Sequence, residues 1–528
     1  MNVQTLSRWL VVTACATCMG LAGGVGGVGG KAKDLSPPEN PRRILMLLPI
    51  SSRSDVEVFM SFAEGLAYSG HRIVMLVNQP PERKNYNVFQ LFHGLEEFQP
   101  DKEGGFESSD SVLSLASSDK LASFARKLYK VQEVKTLYEM RQKFDLIVIH
   151  PLLNEVAYPF LHDMPFITLS TTGIDVQQSA VLGNVLNPAS EMAPLRHPLD
   201  VLRRFQSTLT YSFHLWYWKY WTVVPAVQKE ISAQFPDLPP LLDIERKQSL
   251  ALVNSHFSLG SPVPLLPSQV EVAGLHCRPS LPLPRDVDSW ISDAGEAGVV
   301  YFSLGSGKRA SEMPLQYRQL LLQAFGKLEQ RVIWQYEEEI VDLPENVMIK
   351  EWLPQQDVLA HPNVKVFISR ADFISTEEAV CHAKPVLALR ISAEQTQTAA
   401  FIKDSGFGLA LAWEELTEEL VLEALREIIG NPKYQKAAAE RALLLHDRLQ
   451  SPLDLALYWA EYVMRHKGAP RLRSPAADLS WVEFLHLDIL VILHLVLLLI
   501  LILPFVILKR RSRFNSGEEC GAEKLKAE

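Results

Sequence analysis

Short apolar runs rich in Val, Ile and Leu recur along the chain, each bounded by polar or turn residues and followed by a longer segment with helical spacing. Ile44–Leu48, Arg72–Val77, Phe144–Ile149, Leu250–Asn254 and Val270–Leu275 are such runs in the first half, and Val299–Leu304, Val364–Ser369 and Pro385–Leu389 in the second. Runs that are apolar throughout, rather than alternating, predict strands covered on both faces. Val56–Ser69 near the start, and Glu415–Ile429, Pro432–Leu449 and Pro452–Lys467 near the end, predict helices. The pattern is that of an α/β chain that opens with a Rossmann-like half and is long enough for a second domain. Between the two, a Pro-rich stretch without periodicity beginning at His276 reads as a linker.

The two ends depart from this pattern. Arg8, an apolar run from Trp9 to Leu21 and a Gly-rich tail to Gly30 have the form of a secretory signal peptide, with an amino-terminal anchor helix as the alternative. Ile489–Leu508 is almost unbroken Leu, Ile and Val, long enough to cross a bilayer, and Lys509, Arg510, Arg511 and Arg513 follow at once. A basic cluster of this kind stays cytoplasmic, which predicts a lumenal body held by one carboxy-terminal span. A formal net charge of -9 without a dense basic block in the body argues against nucleic acid as a partner. Only Cys277 and Cys381 fall in the body, which excludes a disulfide framework and leaves one bridge arithmetically open. No Asn-x-Ser/Thr sequon occurs, so N-glycosylation is not expected.

The candidate chemistry concentrates between Trp352 and Gln395. Val364–Ser369 breaks into the polar Arg370-Ala371-Asp372-Phe373-Ile374, a helix is predicted from Ser375, and the next strand ends at a loop carrying Glu394 and Gln395. Two loops thereby meet at one edge of a parallel sheet, where such sheets bind ligands. Order and spacing resemble the signature of the UDP-glycosyltransferases, a family that includes the UDP-glucuronosyltransferases. The resemblance extends from leader to basic tail and takes in Tyr301-Phe302-Ser303-Leu304-Gly305-Ser306. It implies a GT-B fold: two Rossmann-like domains facing a cleft, plus a carboxy-terminal transmembrane helix. It also implies inverting, metal-independent transfer of a glucosyl or glucuronosyl group from a UDP-sugar co-substrate to a small lipophilic acceptor at the endoplasmic reticulum membrane.

On this resemblance the chain divides into a signal peptide (1–30), an acceptor-binding domain (31–275), a linker (276–295) and a UDP-sugar-binding domain (296–450). A returning helix and membrane-proximal segment (451–486), the span (487–508) and the tail (509–528) complete it. Trp352 would stack on uracil, Gln355 would lie near the nucleoside, and Glu378 would hold the ribose. Glu394 and Gln395 would hold the sugar, with Ser306, Arg370 and Ser375 beside the diphosphate. No metal site and no resident cofactor are expected, and partner subunits of the same family are an expected form of assembly. His197–Gln228, dense in Trp, Tyr and Phe, reads as a membrane-surface helix, an acceptor lid or a buried hairpin.

Six positions depart from the family pattern. The diphosphate cradle, normally His-Gly-Gly-x-Asn-Ser, is written Arg370-Ala371-Asp372-Phe373-Ile374-Ser375. Counting back from Gly70-His71 puts Asp55 where the family has its catalytic His, and His150 stands before Pro151 where the family has an acid. An exchanged pair retains both a base and a carboxylate partner. The plainer structural readings are capping boxes, Ser54 with Glu57 and Ser375 with Glu378, together with Trp352 as core and Gln355 as a solvated loop residue. Two functions follow: a working glycosyltransferase with His150 and Asp55 as its catalytic pair, or a relative without catalysis that binds a lipophile or a partner glycosyltransferase.

Overall fold

The computed structural model describes residues 41–80, 87–95, 117–174, 176–184, 209, 213, 216–260, 262–305, 309–391 and 395–525. Residues 41–473 contain two parallel sheets. In the first, β1 (Arg43–Leu48), β2 (Arg72–Val77), β3 (Val88–Phe92), β4 (Leu146–Ile149), β5 (Phe166–Ser170), β6 (Leu250–Val253) and β7 (Gln269–Glu271) lie in the order 3-2-1-4-5-6-7. The second repeats the plan with β8 (Val299–Phe302), β9 (Arg331–Gln335), β10 (Val347–Lys350), β11 (Val364–Ser369), β12 (Val386–Arg390) and β13 (Gly408–Ala412), in the order 10-9-8-11-12-13. Each sheet reverses its winding once, between β1 and β4 and between β8 and β11. Strand ends flanking such a reversal open a crevice at the carboxyl edge.

The central strands are covered on both faces, as their composition predicts. Along β1, Leu45 and Leu47 enter one core, and Ile44, Met46 and Leu48 enter another that includes Val58, Phe59 and Phe62 of α1 (Arg53–Tyr68). In the second sheet, Val300 and Phe302 face one core, and Val299 and Tyr301 the other. Four helices position the site: α1; α2 (Gln355–Ala360); α3 (Phe373–Cys381); and α4 (Pro452–Arg465), whose Ala456, Leu457, Ala460 and Val463 pack back on the first sheet.

Several local expectations are corrected. The linker is not wholly irregular, because Arg285–Ser292 is helical after Pro284, with Asp286 and Asp288 favouring the positive end of its dipole. Helix α1 starts at Arg53 rather than Val56: its N-cap is Ser52 and its box partner is Asp55, so the Ser54–Glu57 frame is not used. Helix α3 starts at Phe373 with Asp372 as N-cap, so Ser375 and Glu378 form no capping box. Cys277 and Cys381 form the one bridge the composition allows, joining the end of the first sheet to the end of α3. The leader and most of the aromatic segment lie outside the described residues. Of the latter, Tyr217–Trp221 is a π-helical turn with Trp218 buried and donating to Glu155 Oε1 at 2.9 Å.

Residues 474–528 form a separate unit. Its long helix, Leu487–Leu525, contains a stretch, Leu487–Arg510, with an 18-residue window of mean hydropathy 3.3 and no buried side chains, long and apolar enough to cross a membrane.

Candidate active site

The first crevice is built where β1 and β4 end side by side, with Leu47 paired to Ile149. The chain leaves β1 and turns at Ser52, whose hydroxyl accepts from the Asp55 amide at 3.2 Å. Asp55 Oδ2 answers by accepting from the Ser52 amide at 2.9 Å and its hydroxyl at 2.7 Å. The other carboxylate oxygen, Oδ1, accepts a 2.5 Å hydrogen bond from the hydroxyl of Thr171, just beyond β5. His150 follows β4 directly, and its Nε2 lies 3.1 Å from the same hydroxyl and 3.7 Å from Asp55 Oδ1. Strand order therefore brings the exchanged acid and imidazole together. The Asp55 side chain is 12% exposed and that of His150 4%, so both are largely buried and the carboxylate is the more accessible of the two.

The second crevice lies between the ends of β8 and β11, where Phe302 is paired to Ile368. Gly305, at φ +75°, brings its backbone against the side chains of Asp372, Ser375 and Arg370. Ala371 adopts φ 62°, a conformation that glycine holds without strain. Asp372 caps α3, its Oδ1 accepting from the Ser375 amide at 2.9 Å. Its Oδ2 faces Arg370 Nε at 3.7 Å, and neither atom has a hydrogen bond among the described residues. Opposite charges are thus held together beside Gly305 with hydrogen-bonding capacity left over.

Behind this, Gln355 at the start of α2 donates to Glu378 Oε2 at 2.6 Å and accepts from the Tyr301 hydroxyl at 3.2 Å. Gln356 donates to Glu378 Oε1 at 3.1 Å. Burial pushes the Glu378 carboxyl up to about 8 against these donors, with Glu57 and Asp372 adding to the shift. Glu377, equally buried, is pushed up to about 7, and His276 between the two carboxyls is pushed down to about 4. At neutral pH this cluster carries much less charge than its composition suggests. Trp352 is 54% exposed, which rules out the core reading, and Gln355 is tied to Glu378 rather than solvated. Gln395 Oε1 accepts from the Ile391 amide at 2.8 Å. Glu394 and Ser306 lie outside the described residues.

The sheet order with two facing crevices is shared with known proteins. The family model for UDP-glucoronosyl and UDP-glucosyl transferases matches residues 84–520. UDP-glycosyltransferase UGT5 of Dactylopius coccus is 32% identical over 494 residues, covering 89% of this chain and 92% of that protein. The chain belongs to this family. UDP-glucuronosyltransferase 2B14 of Oryctolagus cuniculus is 37% identical over 244 residues, 46% of each chain. Among solved structures, the calicheamicin glycosyltransferase CalG4 superposes with a TM-score of 0.55 at 17% identity, covering 81% of this chain and 99% of that one. The glycotransferase of kitacinnamycin gives 0.53 at 15% identity, covering 80% and 98%. The fold is GT-B, and the family's reaction takes a UDP-sugar donor.

Two side chains of the altered cradle, Phe373 and Ile374, face the first half. Ile374 joins the first sheet's core, and the Phe373 ring lies against Gly173. Glu377 accepts from Asn254 Nδ2 at 2.7 Å and from the Gly274 amide. Sequence reasoning missed Thr171, Asn254 and Glu377. The available signal was positional: Thr171 and Asn254 are polar residues immediately after strands, at the edge where the crevice opens.

Proposed function

We propose that this chain transfers a glucosyl or glucuronosyl group from a UDP-sugar to the hydroxyl of a small lipophilic acceptor, by inverting displacement without a metal. The observation that carries this reading is the hydrogen-bonded contact of Asp55 and His150 through Thr171 at the first crevice. The acceptor proton passes to Asp55, the acceptor oxygen attacks the anomeric carbon, and UDP departs with the electron pair. Arg370, with buried Nε capacity beside Gly305, is suited to the charge on the leaving diphosphate. Trp352, Gln355, Ser375, Glu378, Glu394 and Gln395 take the donor contacts their family positions imply. The span Leu487–Arg510 with the basic residues after it, and a disulfide in the body, fit a lumenal body in an oxidising compartment of the endoplasmic reticulum type.

A second reading, a family member that binds without transferring, draws on the packing of Ile374 and the capping by Asp372, which give the altered residues structural work. Calorimetry of UDP and UDP-sugars on the full chain in detergent, with UDP release measured across a panel of phenols and alcohols, separates the two. The first reading expects UDP binding that Arg370→Ala weakens by about tenfold or more, as loss of a charge-assisted contact does, together with acceptor-dependent UDP release. Absence of both binding and release selects the second.

A further inference from the structure

We infer that Thr171 is a positioning residue, whose hydroxyl joins Asp55 to His150 and leaves one defined carboxylate lone pair for the acceptor. This rests on the transferase reading given above. An ionised carboxylate has about four acceptor sites, two on each oxygen. On Asp55, Oδ2 takes both Ser52 donors, and Oδ1 takes the Thr171 hydroxyl. One site on Oδ1 is then left for a hydroxyl entering from the cleft.

The Thr171 hydroxyl has one proton, committed to Asp55 at 2.5 Å, so toward His150 Nε2 at 3.1 Å it acts as acceptor. That assigns the imidazole proton to Nε2 and aligns both groups in one chain of bonds. The arrangement is fixed from outside as well. Thr171 is fully buried, and its carbonyl accepts from Asn254 Nδ2 at 2.9 Å. The same amide nitrogen donates to Glu377 of α3, in the half that carries the altered cradle. The second half therefore helps hold the hydroxyl that orients the pair in the first.

The acceptor proton moves from its oxygen to Oδ1 of Asp55 as the new C–O bond forms and the bond to UDP breaks. The Thr171 hydroxyl keeps its own proton throughout. Valine has the shape of threonine without the hydroxyl, and serine keeps the hydroxyl without the methyl. The test uses the full chain in detergent, comparing Thr171→Val and Thr171→Ser with wild type in UDP-release assays. Thr171→Val is expected to lower kcat at least tenfold with KM for the UDP-sugar held. Thr171→Ser is expected to restore kcat.

A second measurement does not need turnover: Tm for Thr171→Val, Asp55→Asn and the double variant. A Thr171→Val loss that shrinks by half or more in the Asp55→Asn background supports the pairing, and additive losses overturn it. An unchanged kcat in Thr171→Val, with wild type active, also overturns it. A wild-type chain without turnover but with coupled Tm losses keeps the Thr171 pairing and removes the transferase reading.

Discussion

The two crevices of this molecule share one plan, a strand reversal with two loops at the carboxyl edge, and differ in what became of their unusual residues. At the first, Asp55 and His150 meet, because β1 and β4 are neighbours and the loops after them deliver their side chains to the same point. At the second, three residues carry folding tasks: Asp372 caps α3, Ala371 holds the left-handed turn, and Ile374 fills the first sheet's core. A contact between two side chains depends on their separation and not on which loop carries which group. A backbone cradle depends on the peptide groups themselves, and side chains added there must be accommodated by neighbouring structure.

The largest expected effect bears on the first crevice. Asp55→Asn keeps the size of the side chain and removes its charge, and should lower kcat by about 10²- to 10⁴-fold, the usual contribution of a general base. The KM for UDP-sugar should hold, as read by UDP release. An unchanged rate would place the base elsewhere and erase the contrast between the crevices.

Next comes the cluster behind the cradle. Burial raises Glu377 from its ordinary 4.5 to about 7 in the folded chain. A carboxyl raised on folding contributes most below its unfolded value and loses that contribution as pH climbs through the folded value. The loss is on the order of 3 kcal/mol for a shift of that size. Glu377→Gln should therefore flatten the fall in Tm between about pH 5 and pH 8. A variant with the wild-type slope would show that the contact with Asn254 and Gly274 is made equally well by the charged form.

The smallest effect belongs to the cap. Asp372→Ala removes the side chain that accepts from the Ser375 amide, and should cost about 1 kcal/mol in denaturant unfolding. A gain in UDP affinity in that variant would mean that the capping carboxylate also repels the diphosphate, sharpening the difference between the two sites.

Trp352, Gln355, Ser375 and Glu378 were singled out by residue type and spacing, and the structure gathers Gln355, Ser375 and Glu378 together. Roles within one turn of helix were not legible in the sequence. Ser52-x-x-Asp55 and Ser54-x-x-Glu57 are both reasonable boxes, and the first is used because Asp55 also finds Thr171, 116 residues away. Asn254 and Glu377, separated by 123 residues, meet because β6 ends beside the turn that α3 faces, a relation no local window contains.

By itself the sequence determined eight of the thirteen described strands, the α/β class and the apolar carboxy-terminal stretch. Those properties are local: periodicity, β-branched content and run length act over a few residues, and burial on both faces leaves a continuous apolar record. The tertiary structure alone decided that Trp352 is exposed, that Asp372 is a cap, that Cys277 joins Cys381, and that Thr171 stands between Asp55 and His150. Each of these depends on strand order and on the desolvation of groups brought together from distant parts of the chain.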